Sequence, residues 1–377
     1  MRSRESVQCI EQGRVNAGMP LIDLASQRSV SPYEFLPGWL FYTPVVIQSL
    51  FQGLRYADWR LPLIANPSIH LSGMVGESKH DILSLAGDKA NQWISPFITL
   101  TKSELPESEQ LTHALTSMSD KHLNFPVVAK PDMGCRGAGV KLIQDKAGLE
   151  EYIHSFPVGA RYLLQEKAPY QAEAGVFYVR YPGEERGKIF SITLKYAPVV
   201  VGDGEKTLEQ LIAACPRAGK LQHLYRPRHE DKLQQVIAKG EEFQLAFSGS
   251  HCRGSIFRDG NQFITEKLAS KLDQIFNDID GFHYGRLDIK FKDINQFMRG
   301  EDFTILEING ASSEAAHIWD SRTPLTDIFS TLLTQYRILF DIGAKQKQRG
   351  HKAPSITSLL KAWKEEKILT AQYPSTD

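Results

Sequence analysis

Two stretches in the second half of the chain carry the residue types that hold hard cations and phosphate. In YGRLDIKF, residues 284–291, charges alternate with hydrophobes, and FTILEIN, residues 303–309, resumes the alternation after a polar turn. Side chains alternate faces along a strand. Arg286, Asp288 and Lys290 therefore share one face, and Leu287, Ile289 and Phe291 the other. On the second stretch Leu306 and Ile308 are expected in the core, with Glu307 and Asn309 pointing the opposite way. Pairing the two strands gathers Asp288, Glu307, Asn309 and Arg286 on one polar surface. Two carboxylates and an amide oxygen are hard ligands of the kind that hold Mg²⁺ while leaving positions for phosphate. Arg286 beside them can neutralise a developing anion. Taken alone, the same pattern also describes a solvated strand face with ordinary salt bridges.

A second constellation lies earlier. FPVVAK, residues 125–130, reads as a strand ending on Lys130, directly before Pro131 and the loop DMGCRGAG, residues 132–139. Gly134, Gly137 and Gly139 allow backbone N–H groups to approach phosphate oxygens, and Lys130 adds a point charge. The spacing is neither GxxxxGK[ST] nor GxGxxG, so the P-loop and the dinucleotide fingerprint do not apply; a plain hairpin turn is the competing reading. Lys89 and Lys195 are further candidate cations, although a lone lysine is usually a solvated surface residue. Cys135 lies in the loop with no identifiable base, which argues against a catalytic thiol.

These residues need sheets to hold them and helices to cover the sheets. Helical signals fall near 78–94 and 107–122, and a short helix fits 145–154. Strands fit 140–143, 161–166, 175–181 and 188–196. Thr207 and Gln210 form a capping box ahead of LEQLIAAC. Residues 217–262 read as an insertion, with His251, Cys252 and Arg253 as candidates to line a substrate site. Ile264, Leu268, Leu272, Ile275 and Ile279 recur at helical spacing. A last helix runs from about Pro324 to Ile342, and the tail after Gly343 is mostly polar.

The chain has 377 residues, enough for two or three lobes around a large core. It carries 44 Lys+Arg against 44 Asp+Glu, so the basic excess usual for general nucleic-acid binding is absent. Cys9, Cys135, Cys215 and Cys252 lie far apart without a CxxC pair, which argues against a disulfide framework or structural zinc. No signal peptide is evident, so a cytoplasmic location is expected. Residues 35–54 are strongly apolar but interrupted by Pro37, Gly38 and Pro44. The expectation is a core helix or a contact between two copies of the chain. A helix lying on a membrane surface is the alternative, and a full span is disfavoured.

The order of these parts resembles the ATP-grasp superfamily. Over roughly residues 81–320 it is most similar to the carboxylate–amine ligases of the D-alanine–D-alanine ligase group. GRLDI and LEING resemble that group's paired metal-site motifs, and FPVVAKP its lysine strand. APVVVGDGEKTLEQLI is similar to a stretch of cyanophycin synthetase. The resemblance implies an α+β fold of two lobes whose antiparallel sheets clasp ATP. Residues 1–80 would form a divergent N-terminal region, 81–343 the ATP-grasp domain and 344–377 a polar tail. It implies that Lys89 and Lys130 contact ATP phosphates and that the segment Gln165, Glu166, Lys167, Ala168 reads adenine. Glu173 would bind the ribose and Lys195 the γ-phosphate. Asp288, Glu307 and Asn309 would hold Mg²⁺, or Mn²⁺ in its place, and Arg286 would stabilise the acyl phosphate. The implied substrates are a small-molecule carboxylate and an amine, joined with release of ADP and phosphate. A small-molecule kinase and a non-catalytic nucleotide-binding protein are the rival readings. The chain departs from the group in having Cys135-Arg136 where a Ser-Ser pair is expected, and in lacking an evident early glycine-rich segment with a glutamate before Lys89.

Overall fold

The computed structural model describes residues 16–21, 30–31, 33–34, 36–134, 137–247, 249–374 and 376. Eleven strands are found among them: β1 (Phe97–Thr101), β2 (Val127–Pro131), β3 (Lys141–Ile143), β4 (Arg161–Glu166), β5 (Ala172–Val179), β6 (Lys188–Tyr196), β7 (Val199–Val201), β8 (Glu242–Gln244), β9 (Ile256–Asp259), β10 (Tyr284–Phe291) and β11 (Phe303–Asn309). They form two main antiparallel sheets, ordered β11-β10-β5-β6-β9 and β1-β4-β2-β3, and a small β7–β8 ribbon. The architecture is thus mixed α and β with antiparallel sheets, as the sequence led us to expect.

The five-stranded sheet is covered differently on its two faces. One face carries Ala174, Val176, Ile192, Leu194, Leu287 and Ile289, packed against the helix Glu266–Phe276 through Leu268, Leu272 and Ile275. The other face changes character along its length. Phe177, Val179 and Tyr284 pack under the long helix Leu325–Gln348 through Ile338, Leu339 and Ile342. Two residues further along the same alternation stand Gly175, Arg286 and Asp288, left uncovered by that helix.

The four-stranded sheet holds its own core. Val127, Ala129, Tyr162 and Leu164 face the helices Glu107–Asp120 and Lys146–Ser155, meeting Leu111, Ala114, Leu149 and Ile153. By alternation Val128, Lys130 and Gln165 point out of the other face. The two sheets are joined at β11, where Ser95 N–H donates to Ile305 O (2.9 Å) and Ile305 N–H to Trp93 O (2.6 Å). This joint places the polar faces of the two sheets on one cleft.

Several expectations change. The capping box at Thr207 and Gln210 is present, but the compact element it opens gathers Val200, Leu211, Ile212, Tyr225 and Leu245 into one small core. Residues 256–259 return as β9 to the edge of the main sheet, so the insertion does not extend to 262. The strands β1, β7, β8 and β9 are additional. The long helix continues to Gln348, and a further helix, Ile356–Thr370, occupies what reads as a polar tail. Cys215 is disulfide-bonded and Cys252 is free.

Candidate active site

A cleft of ≈ 1130 Å³ lies between the sheets, and its floor is the uncovered end of β5, β6, β10 and β11. Asp288 is opposite Glu307, and Arg286 opposite Asn309, in the β10–β11 ladder. A bulge follows directly, because Ile289 pairs with Ile305 and leaves Leu306 as the extra residue. The bulge resolves a conflict that strict alternation creates. Ile305 and Ile308 are buried, three positions apart, and Glu307 still reaches the cleft. Leu306, expected in the core, lines the cleft instead. Its carbonyl accepts hydrogen bonds from Lys130 Nζ (3.0 Å) and Gln165 Nε2 (3.3 Å), both from the opposite sheet.

The floor is a chain of mutually neutralising charges. Lys195 Nζ lies 2.9 Å from Asp288 Oδ1 and 3.2 Å from Glu173 Oε1, and is almost fully buried. Arg286 donates to both oxygens of Asp288, at 3.0 and 3.3 Å. Burial alone would raise the pKa of Asp288, but Arg286 and Lys195 outweigh it and hold the carboxyl down to about 2. Arg286 is half-buried, which would lower its pKa, but Asp288 outweighs this and raises it. Gly175, opposite Asp288 on β5, makes this packing possible. A Cβ there would lie 3.1 Å from Arg286 Cδ, 3.4 Å from Lys195 Cε and 3.5 Å from Asp288 Oδ1.

From the other side come Lys130, on β2, and Lys79, which the sequence reading overlooked. Burial pushes Lys130 down to about 8, although Glu307, Asp288 and Glu173 oppose the shift. Lys79 lies 3.4 Å from Glu307 Oε1 and donates to Gly134 O at 2.8 Å. Lys89, by contrast, is exposed in the short helix Asp88–Asn91, its N–H donating to Asp278, and it does not line the cleft. Lys79 rather than Lys89 is the second cation at the cleft, and nothing in GESK, residues 76–79, marks it in the sequence. Its neighbour Glu77 accepts from Gly310 N–H at 2.5 Å, beside the metal-type trio. Enclosure raises Glu77 to about 8, Gly310 N–H opposes this, and Glu307 adds to it.

Of the remaining expected residues, Gln165, Glu166, Lys167, Ala168 and Glu173 all line the cleft, as do Gly134 and Gly137. Gly134, Gly137 and Gly139 all have left-handed φ, +124°, +72° and +68°, a region that glycine enters without penalty. Cys135 and Arg136 lie outside the described residues. The loop is tied to the chain's last residues. Tyr373 Oη donates to Met133 O (2.8 Å), and Thr376 Oγ1 accepts from Gly139 N–H and donates to Gly137 O, each at 2.9 Å. The far end of the cleft is walled by Tyr42, His251, Phe257, Trp319 and Tyr336. There Glu314 is held by Tyr42 Oη and Trp319 Nε1, each at 2.9 Å. Cys252 and His251 line this end as well.

For a divalent cation the donors suit Mg²⁺: two carboxylates and an amide, all oxygen. Asn309 Nδ2 is buried without a hydrogen-bond partner, so its amide is not committed elsewhere through that atom. Among the described residues no group of three or more His, Cys, Asp or Glu side chains is gathered for a metal. The trio falls outside that description because its third member is Asn309.

No protein-family model matches the chain, and no curated protein sequence matches it. Solved structures do. A bifunctional glutathione synthetase from Pasteurella multocida matches with 14% identity over 68% of this chain and 36% of its own, TM-score 0.35. D-alanine–D-alanine ligase from Bacillus anthracis matches with 12% identity over 75% of this chain and 72% of its own, TM-score 0.41. VanG D-Ala:D-Ser ligase from Enterococcus faecalis matches with 12% identity over 72% and 64%, TM-score 0.40. The chain spans about a third of the length of the glutathione synthetase.

Proposed function

We propose that this chain is an ATP-dependent carboxylate–amine ligase of the ATP-grasp kind, forming an amide bond through an acyl phosphate. The observation that supports this best is the placement of charge. Lys195 and Arg286 flank Asp288 on the floor of the cleft, and Lys130 from the opposite sheet and Lys79 from the short helix Lys79–Leu83 face them. Such a clamp suits a transferring phosphoryl group approached from two sides.

In this reading Lys130, Lys79 and the glycine loop at Gly134 and Gly137 bind the polyphosphate, while Gly139 N–H is held by Thr376. Gln165 to Ala168 read the base and Glu173 the ribose. Asp288, Glu307 and Asn309 would hold Mg²⁺ or Mn²⁺, which would supply charge neutralisation at the phosphates. A carboxylate oxygen of the acid substrate bonds to the γ-phosphorus and ADP leaves. Lys195 offsets charge on the transferred group. Arg286 then faces the carbonyl oxygen as the amine nitrogen bonds to the acyl carbon. Phosphate departs with its bonding electron pair, and the amine loses a proton. No protein nucleophile is needed, because most of the catalysis is positioning. The acceptor enters from the end walled by Tyr42 and Trp319.

The test is product analysis with pooled carboxylic acids and amines. ATP consumption should require an acid, yield ADP and phosphate, and speed up with an amine. Hydroxylamine should trap the acyl phosphate as a hydroxamate. A stable phosphate ester with no hydroxamate and no free phosphate would move the chain to the kinases.

A further inference from the structure

The segment expected to be buried is not. Helix Thr43–Tyr56 buries Val45, Gln52 and Gly53, and Phe41 just ahead of it packs with Ile328 and Leu332 of the long helix. Its other face is open to water. Ile47, Phe51 and Leu54 are 62%, 63% and 66% exposed, Val46 and Leu50 more than half, and Trp39 ahead of the helix 76%. The exposed positions 39/40, 46/47, 50/51 and 54 recur at helical spacing, so they form one continuous stripe. At 1.5 Å per residue the helix alone is about 21 Å long. Apolar patches of this extent mark interaction surfaces.

We propose that this stripe docks the protein on an anionic lipid bilayer, the helix lying in the plane of the interface. Three observations choose this occupant. First, charge: residues 36–54 contain no charged side chain. The exposed cations Arg55, Lys345, Lys347, Arg349 and Lys352 gather where this helix and the long helix end together. From Ala344 to Ala353 there is no Asp or Glu. The nearby acids are occupied: Asp58 is buried between Arg60 and Lys347, and Asp341 accepts from Tyr56. The exposed exceptions are Asp327, at the far end of the long helix, and Glu184 and Glu185, on the turn that meets Lys345 and Arg349 through Tyr181 and Gly183. An apolar stripe with a basic margin is the pattern of interfacial helices. Second, Trp39 and Trp59 bracket the stripe and are both exposed, and indole rings favour the boundary between lipid and water. Third, the helix has 14 residues, about 21 Å against the roughly 30 Å of a hydrocarbon core, which suits a helix lying along the interface.

Docking has a consequence for the cleft. Tyr42, between Phe41 and the helix, reaches Glu314 at the acceptor end, and Phe41 stacks on Trp319 at 4.9 Å. The acceptor end of the cleft is therefore built partly from the docking segment. This consequence rests on the ligase reading; the docking itself does not.

The experiment is co-sedimentation of the full chain with vesicles of phosphatidylcholine alone and of phosphatidylcholine with phosphatidylglycerol. The protein should pellet with the anionic vesicles, at least tenfold better than with the neutral ones. Ile47→Glu with Phe51→Glu should abolish pelleting. Arg55→Glu with Lys352→Glu should reduce it on anionic vesicles only. Circular dichroism melting should remain as in the unmodified chain, since these side chains point to water. Failure to pellet with either vesicle would overturn the proposal. So would a dimer in sedimentation velocity that Phe51→Glu dissolves while vesicle binding is absent, which would make the stripe a contact between two copies.

Discussion

The two walls of the cleft reach the same kind of charge by different means. On the floor, Lys195, Arg286, Asp288 and Glu307 are fixed by strand register and by one bulge, and each cation rests on a carboxylate. On the roof, Lys130 rests on a carbonyl of the other sheet, Lys79 on the glycine loop, and the loop on Tyr373 and Thr376. The floor is preorganised by strand pairing within one sheet; the roof is assembled from a strand, a short helix and a loop held by residues 240 positions away at its far end. The difference teaches that floor substitutions should strike the chemistry, while roof substitutions should strike nucleotide binding and loop order.

The largest effect belongs to the floor. Asp288→Ala leaves Arg286 and Lys195 without their shared partner, and turnover should fall by roughly 10²–10³-fold or more. Stability should also drop, toward the lower part of the ~3–5 kcal/mol range for broken buried pairs, because Lys195 retains Glu173. Glu307→Gln and Asn309→Ala should lower turnover with a smaller change in melting, since Lys79, the buried partner of Glu307, keeps its bond to Gly134 O and Asn309 pairs with no cation. Single-turnover ATP consumption with thermal melts checks all three. Near-normal turnover in these variants would detach the floor from the chemistry.

Next comes Lys130→Met on the roof. It removes the bond to Leu306 O that ties the sheets together, and a cation that faces the phosphates in the proposed reading. Nucleotide affinity should weaken by about 10–100-fold, or about 1.4–2.7 kcal/mol. Titration calorimetry measures this directly. A turnover loss at saturating ATP as deep as that of Asp288→Ala would erase the distinction between the walls.

Much of the floor was legible because strand alternation is a local rule. Arg286, Asp288, Glu307 and Asn309 were placed on one surface by spacing alone. Leu306 was not, because a bulge is a tertiary compromise between burying Ile305 and presenting Glu307. Lys130 and the glycines were legible as a loop chemistry. Lys79 and Glu77 were not, because their short irregular segment acquires its place only by packing against Asp132 and Gly310. Lys89 was singled out and Lys79 was not, yet Lys89 stands exposed on a helix held by Asp278 while Lys79 is buried at the cleft. The apolar segment was read correctly as apolar, but periodicity cannot say whether a stripe faces protein or water.

A smaller effect is expected from ending the chain at Gln372. This removes Tyr373 and Thr376 from the glycine loop and leaves the floor untouched. Amide exchange across 133–139 should accelerate several-fold, and nucleotide affinity should fall by less than about tenfold, since the loop would have to be ordered on binding. Unchanged exchange would mean that the loop is held by its own turns, making roof and floor alike.

The smallest effect is a pH dependence that separates Glu77 from the floor carboxylates. Glu77 titrates near 8 when folded and near 4.5 in its ordinary state. The folded form thus binds the extra proton between those values. The stability tied to neutral Glu77 is complete below about pH 4.5 and is lost as pH rises through about 8. Asp288 has the opposite sign, since its pKa is lowered to about 2, and its contribution is lost only in acid, well below this window. His283, lowered to about 4 by burial, also loses its contribution as pH falls. Glu77→Gln keeps the neutral group at every pH. The melting difference between Glu77→Gln and the unmodified chain should therefore grow in favour of the variant from pH 5 to pH 8 and then level off. The subtraction cancels His283 and the other shared groups. A difference that stays constant across pH 5–9 would show that Glu77 ionises normally in the folded chain.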